Sequence, residues 1–302
     1  MKNTSLLVLL FINVLVCFGQ NERDIVIHDS IYPILYQADK YPQVKKMVLN
    51  LEKQYGFEPE LKHTLVNQSY KNNDIEFFKN EIAILVKEYG FQLIYLDGNE
   101  SYYDAIVSGE LSEWFKDMFL TNHFIWLKNN FEKQIDLKKL NELKTKDQIV
   151  NRFAIKLRTE IALDSLQMVA HSKLINNFFF ENISDLNQIT VKYQNYPTGK
   201  TFALVQNSFG VTEFHNMQVK ENLKRFWVLF YPYYKKAYLN NEISYIYFKN
   251  YDNWSFVNFK TQRFGLLAIE SVPELFNKDG LTEAPIEDLD FYKRIKTEFN
   301  WD

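Results

Sequence analysis

The chain has 302 residues, with 35 Lys or Arg against 38 Asp or Glu, a formal net charge of −3. No basic block stands out along it, so the electrostatic footprint of a nucleic-acid binder is missing. One cysteine and nine glycines exclude a disulfide framework and leave little material for glycine-rich phosphate loops. The 46% of hydrophobic residues is enough for one or two cores.

The first segment, MKNTSLLVLLFINVLVCFGQ, has one lysine, an apolar run from Leu6 to Val16 and the small residue Gly19. That is the layout of a cleaved secretory signal over residues 1–19, and it predicts a secreted or periplasmic chain after cleavage near Gly19. The run is well short of the roughly 20 residues a spanning helix needs, and no later segment is longer, so no transmembrane segment is expected. Cys17 raises the alternative of a lipid-modified N-terminus, which Val16 before it disfavours because lipoprotein signals prefer a small residue there.

Residues 20–132 read as a helical-hairpin region. QVKKMVLNLEKQYGF and FFKNEIAILVKEYGF superpose at an offset of 34 residues, placing Lys45 on Lys79, Val48 on Ile82, Leu51 on Leu85 and Tyr55-Gly56-Phe57 on Tyr89-Gly90-Phe91. Each copy reads as a helix stopped by a glycine in the left-handed conformation. The period is that of tetratricopeptide helix pairs. Leu61–Gln68 would be the return helix, and Asn73 is a plausible N-cap for the next one. Two similar helices in an ordinary helical domain explain the echo equally well.

Leu111–Phe131 is again helical in pattern. The polar stretch 129–146 is the best boundary, after which residues 133–302 form a second helical region. A helix over 143–161 is expected to continue towards Ile175, followed by a shorter one over Asp185–Tyr193. The next runs from about Met217 to Leu239. Ile243–Phe264 is rich in aromatic and β-branched residues, and WSFVNF within it reads as a short strand. A helix from about Asp288 to Phe299 closes the chain. The fold class is therefore mostly α, helical hairpins followed by a second helical domain with at most a small β element.

Few motifs carry chemistry. Gly199-Lys200-Thr201 invites a phosphate-loop reading, but Gln194 stands where that loop needs its first glycine, and the preceding segment reads as helix. H-E-x-x-H, paired C-x-x-C and G-x-S-x-G are all missing, so no metal and no cofactor are expected. The five histidines, at 28, 63, 123, 171 and 215, are scattered. FWVLFYPYY and YIYFKNYDNWSF fit core filling better than a stacking platform for sugars or peptides.

One residue breaks its pattern. Asp147 sits in the apolar stripe Leu140, Leu143, Val150, Ala154, Leu157, Ile161, whose spacing of three and four predicts burial. A carboxylate taken out of water costs several kcal/mol unless it is paired or well hydrogen-bonded. Three readings stay open: an N-cap if the helix starts at Gln148, a buried ion pair, or a ligand-binding group clustered with Gln148 and Arg152, which are four apart and share a face.

The order of pieces over about residues 136–302 resembles an uncharacterised bacterial domain-of-unknown-function family. They are Asp147-Gln148 with Arg152, Tyr193–Pro197, Asn241-Glu242-Ile243-Ser244, Gln262-Arg263-Phe264-Gly265, and Pro285-Ile286-Glu287-Asp288 with Arg294. The chain departs from that pattern where Asn151 occupies the arginine position and where Gln206-Asn207 replaces a glutamine-histidine pair. The resemblance implies no known activity. It groups Asp147, Gln148, Gln206, Gln262 and Arg263, which share no local logic.

The sequence therefore predicts an exported helical binding or interaction protein with a polar pocket around Asp147, its partner a protein or peptide. One alternative is a hydrolase-like enzyme with Asp147 as general base, oriented by Gln148 or Arg152, and Gln262 or Arg263 polarising the substrate. The other is an immunity or inhibitor protein.

Overall fold

The computed structural model describes residues 22–202 and 209–301, and these form thirteen α-helices. Extended pairing among them is limited to one isolated parallel bridge between Gln262 and Ile286. The fold is mostly α and built from helical hairpins. No described helix is long and apolar enough to cross a membrane. The leader, Cys17 and Gln206 lie outside the described residues.

The chain enters through α1 (Glu22–Ile25), which runs into a π-helical turn over Val26–Ile31. Three helices of similar length follow: α2 (Tyr41–Tyr55), α3 (Pro59–Lys71) and α4 (Ile75–Tyr89). Three-residue connections make successive helices antiparallel neighbours. The echoed positions do the same work in both copies, since Val48, Ile82, Leu51 and Leu85 are all buried. Gly90 ends its helix in the left-handed conformation expected, whereas Gly56 ends its own with positive φ but an extended ψ of 173°. Asn73 also has positive φ, so Asp74 rather than Asn73 precedes α4. After Gly90 the second copy returns only through a 3₁₀ turn, Leu93–Tyr95, and the short α5 (Tyr103–Val107) before α6 (Ser112–Asn129).

Gly90 has a second reason to be glycine. A Cβ there would lie 2.5 Å from the Trp126 ring, and its φ of +65° is one that L side chains rarely adopt. Gly90→Ala is expected to destabilise the protein by about 1–3 kcal/mol, read from the midpoint of urea unfolding. Gly56→Ala, with open space around it, should cost less.

The polar stretch 129–146 holds the junction between α6 and α7 (Phe131–Glu160) at Asn130 and the first half of α7, which supplies Leu137, Leu140 and Leu143 to the largest core. Trp126 of α6 packs in that same core. Helix α7 ends at Glu160 and does not continue to Ile175. The physical reason is a capping box that the sequence reading passed over: the Asp164 side chain accepts from the Gln167 backbone N–H, and the Gln167 side chain caps Asp164 in return. The 29-residue α8 (Ser165–Tyr193) starts there and absorbs the separate helix expected over Asp185–Tyr193.

Beyond α9 (Gly199–Phe202) and α10 (Gly210–Gln218), the helix expected from about Met217 to Leu239 is α11 (Lys220–Leu239), set off from α10 by the extended backbone of Val219. WSFVNF is helical, not a strand. Phe248, Tyr251, Asp252, Ser255 and Phe256 are buried at intervals of three and four along α12 (Ile246–Phe259), so packing overrides the β propensity of the individual residues. Helix α13 (Leu289–Phe299) is capped by Asp288. The aromatic stretches fill the main core, where Phe226, Trp227, Phe230 and Tyr234 of α11 meet Phe248, Phe264, Phe299 and Trp301.

Candidate functional site

Asp147 lies mid-helix in α7, which removes the N-cap reading, and it is fully buried. Its Oδ2 is 2.7 Å from Nδ1 of His215 on α10, and it also accepts from Gln148 Nε2 at 3.2 Å. Oδ1 is buried without a hydrogen-bond partner among the described residues. The His215 ring packs on Phe179 of α8 with centroids 4.9 Å apart. The partner of this carboxylate is therefore a histidine. Nothing in the sequence linked His215 to it, because the two residues are 68 positions apart and meet only when α7, α8 and α10 assemble.

Of the other residues grouped with Asp147, only Gln148 touches it among the described ones. Gln148 and Arg152 line a shallow cleft of about 360 Å³ with Tyr95, Asn141 and Lys144, and Asp147 is not part of its wall. Gln262 is tied to a different segment: its backbone N–H donates to Pro285 O, its side chain donates to Ala284 O, and its Oε1 accepts from Leu267 N. The Arg263 backbone N–H donates to Asp252 Oδ1, and its guanidinium lies over Phe291 at 4.2 Å. Of the five residues expected to share a pocket, Gln148 stays beside Asp147, whereas Gln262 and the Arg263 backbone bond to a different segment, and Gln206 lies outside the described residues.

Asp252 anchors the turn that holds Gln262 and Arg263. Fully buried, it accepts from the backbone N–H groups of Arg263, Phe264 and Leu266, yet burial outweighs those bonds and pushes its carboxyl up to about 6. Within the same turn Gly265 has φ +71°, and a Cβ there would lie 2.5 Å from the Tyr292 ring.

A second polar centre forms where the N-terminal helices meet the C-terminal body. A cavity of about 230 Å³ opens between α1, the start of α3, the 197–200 turn and residues 242–247. In its wall Arg23 makes a bidentate pair with Glu58, Nε to Oε1 at 2.6 Å and Nη2 to Oε2 at 2.7 Å. Nη1 reaches Asp24 Oδ1 at 3.3 Å. Lys200 Nζ lies 2.8 Å from Glu58 Oε1 and donates to Tyr55 O at 2.7 Å. Lys200 of the Gly-Lys-Thr sequence is thus held by protein groups.

Burial works against the charge on Arg23, but its bonds to Glu58 more than offset this and raise its pKa. Burial lowers Lys200, which shares a carboxylate already engaged by the guanidinium. Asp24 accepts from Tyr245 N at 2.9 Å, yet burial raises its carboxyl.

His28 stands in the π-helical turn, with Nε2 3.2 Å from Ser244 Oγ, and that oxygen also accepts from Ile246 N. Asp24 and His28 also line an adjoining cavity of about 210 Å³ that reaches Gly265, Tyr292 and Trp301. π-Helical turns are rare and cluster at functional sites.

Two pieces of the resemblance, Glu242-Ile243-Ser244 and Pro197, line the larger cavity, although nothing in the pattern pointed there. Arg23, Asp24, His28, Glu58 and Lys200 were missed by sequence reasoning. No local spacing marks them, and only tertiary neighbours bury Arg23, Asp24 and Glu58 and half-bury His28 and Lys200. In comparisons with known proteins, no family model, no curated protein and no solved structure matches this chain.

Proposed function

We propose that the protein is an exported helical binding protein whose ligand site is the cavity between α1, α3 and residues 197–200 and 242–247. Export rests on the leader pattern of residues 1–19, and the hairpins α2 to α4 serve as a tetratricopeptide-like scaffold that presents one wall. The observation that carries the reading is the charge balance of that wall. Arg23 and Lys200 face Asp24, Glu58, Glu60 and Glu242, and both cations are committed to Glu58. Glu60 and Glu242 have no cationic partner within salt-bridge distance among the described residues.

A cavity of this size suits one amine- or guanidine-bearing group flanked by Tyr32 and Tyr247 rather than a whole metabolite. A basic side chain of a peptide fits that chemistry, in keeping with a protein or peptide partner. Burial raises the Glu242 carboxyl. For Glu60 the surrounding protein pushes in the same direction, with Glu58 adding to it, although solvent reaches the side chain and tempers the effect.

The test is titration calorimetry with a lysine- and arginine-containing peptide and its glutamate-substituted counterpart. The basic peptide should bind and the acidic one should not. Glu60→Gln with Glu242→Gln should weaken binding at least about tenfold while the melting temperature holds or rises, since two like charges are removed. Equal binding of both peptides, or an unchanged affinity in the double variant, would remove this site. The hydrolase-like reading with Asp147 as general base draws no support from the geometry, since no described cavity is lined by that carboxylate.

A further inference from the structure

The antiparallel pair α7 and α8 is the longest element of the fold, each helix about 45 Å long. Among the described residues, α10 and α11 hold it by hydrogen bonds nearer its base: Thr212 donates to Leu143 O, Asn216 to Phe179 O and Asn222 to Asn176 O. Towards the turn at 161–164 the buried side chains are Ala154, Leu157 and Ile175, packed in a small cluster with Phe179, Val150 and Leu163.

Around that tip the surface is unusually apolar. Leu166 is 83% exposed, Val169 69%, and Phe153, Ile155 and Ile161 each 51%. These residues do not form one stripe. Phe153 and Ile155 are two positions apart, as are Leu166 and Met168, and at 3.6 residues per turn such pairs point to opposite sides of their helix. A second helical partner needs a stripe, whereas a tip that dips into an apolar phase needs apolar groups all round.

Charge sharpens the choice. Between residues 148 and 178 stand Arg152, Lys156, Arg158 and Lys173 against only Glu160 and Asp164, in a chain whose net charge is −3. None of the four cations has a carboxylate within salt-bridge distance among the described residues. Arg158 and Lys173, joined by Arg225 and Glu221 from α11, also border a groove of about 690 Å³ beside Val169, so three cations there outnumber one carboxylate. The Arg225 guanidinium carbon lies over the Phe180 ring, 3.7 Å from its centroid, a contact that leaves the donor edges of a guanidinium able to meet a phosphate.

We infer that the tip of the α7–α8 hairpin docks on an anionic phospholipid surface. Leu166, Val169 and Ile161 enter the acyl boundary, while Arg158, Lys173 and Arg225 hold headgroup phosphates. The combination of apolar and basic groups is that of an interfacial element, which lies on a membrane without spanning it. The assignment is independent of the cavity at α1.

Flotation of the full chain with vesicles of equal parts phosphatidylglycerol and phosphatidylcholine, and with pure phosphatidylcholine, tests this. Binding is expected to the anionic vesicles and to fall steeply between 0.05 and 1 M salt, roughly as the screening length shrinks. Leu166→Asp with Val169→Asp, both exposed and therefore expected to leave the melting temperature unchanged, should lower vesicle affinity at least about tenfold. Arg158→Glu with Lys173→Glu should do the same.

No binding to anionic vesicles would overturn the proposal. So would binding that the tip variants leave intact, which would place attachment elsewhere, for instance at the apolar run Leu6–Val16. A concentration-dependent dimer abolished by Leu166→Asp with Val169→Asp, without vesicle binding, would assign the tip to a second copy and equally overturn it.

Discussion

Lys62→Ala is expected to destabilise the protein by about 3–5 kcal/mol, the cost of leaving buried charges without their partner. Lys62 stands on α3 at 1% side-chain exposure, between Glu52 of α2 at 2.8 Å and Glu81 of α4 at 2.6 Å, whose side chains are 11% and 13% exposed. Its ammonium also lies within 5.2 Å of the Phe57 ring centre and 5.5 Å of that of Phe77. Burial raises the Glu52 carboxyl even with the lysine present, so removing the cation leaves two carboxylates facing one another in a poorly solvated seam. Denaturant unfolding monitored by tryptophan fluorescence and far-UV dichroism checks it. The triple variant Lys62→Met, Glu52→Gln, Glu81→Gln should recover most of the loss, because the penalty belongs to the unpaired charges rather than to the missing bonds.

The second large effect is on pH. Glu213 is buried among aromatic rings, and its Oε1 accepts from Tyr196 Oη at 2.6 Å and Tyr234 Oη at 2.7 Å. Burial pushes its carboxyl up from 4.5 to about 7, against the two tyrosine bonds that favour the ionised form. A carboxyl whose pKa is raised on folding binds protons more readily in the folded state. Its contribution to stability is complete below the unfolded value and is lost as pH rises through the folded one.

For Glu213 the window runs from about 4.5 to about 7 and is worth at most about 3 kcal/mol, at 1.36 kcal/mol per pH unit. Asp252 acts in the same direction between 3.8 and about 6. Unfolding free energy should therefore decline from pH 4.5 to pH 8. In Glu213→Gln, whose amide oxygen can accept from both tyrosines, the decline should shrink by about 3 kcal/mol. Parallel pH profiles for the two proteins would show that Glu213 does not titrate in this way.

The residues differ in how far local sequence reveals them. Val48, Ile82, Leu51 and Leu85 could be placed in the core from spacing alone, because a helix face is decided by near neighbours. The burial of Asp147 was legible for the same reason. His215 was not, since a pairing between two helices 68 residues apart depends on which helices pack together, and no periodicity encodes that. The strand expected over WSFVNF failed because β propensity describes a side chain fitting a pleated surface, and here Trp254 meets Phe214 of α10, Phe259 lies beneath Lys220 and Lys224 of α11, and Ser255 faces Thr261. The break at Asp164 was written in the chain as Asp-x-x-Gln and outweighed by the apolar pattern on either side.

What the amino-acid order determined by itself is the helical class, the glycine stops at 56 and 90, and the stripe that drew a carboxylate inward, all of which arise from interactions within a few turns. What only the tertiary structure decided is where charge concentrates. Arg23, Asp24, Glu58 and Lys200 come from segments separated by up to 177 positions and read individually as surface residues. Arg23, Asp24 and Glu58 become buried and Lys200 half-buried, the two cations share the Glu58 carboxylate, and all four wall a cavity only because α1 is packed between the hairpins and the C-terminal body, where protein replaces much of the water that would otherwise solvate them.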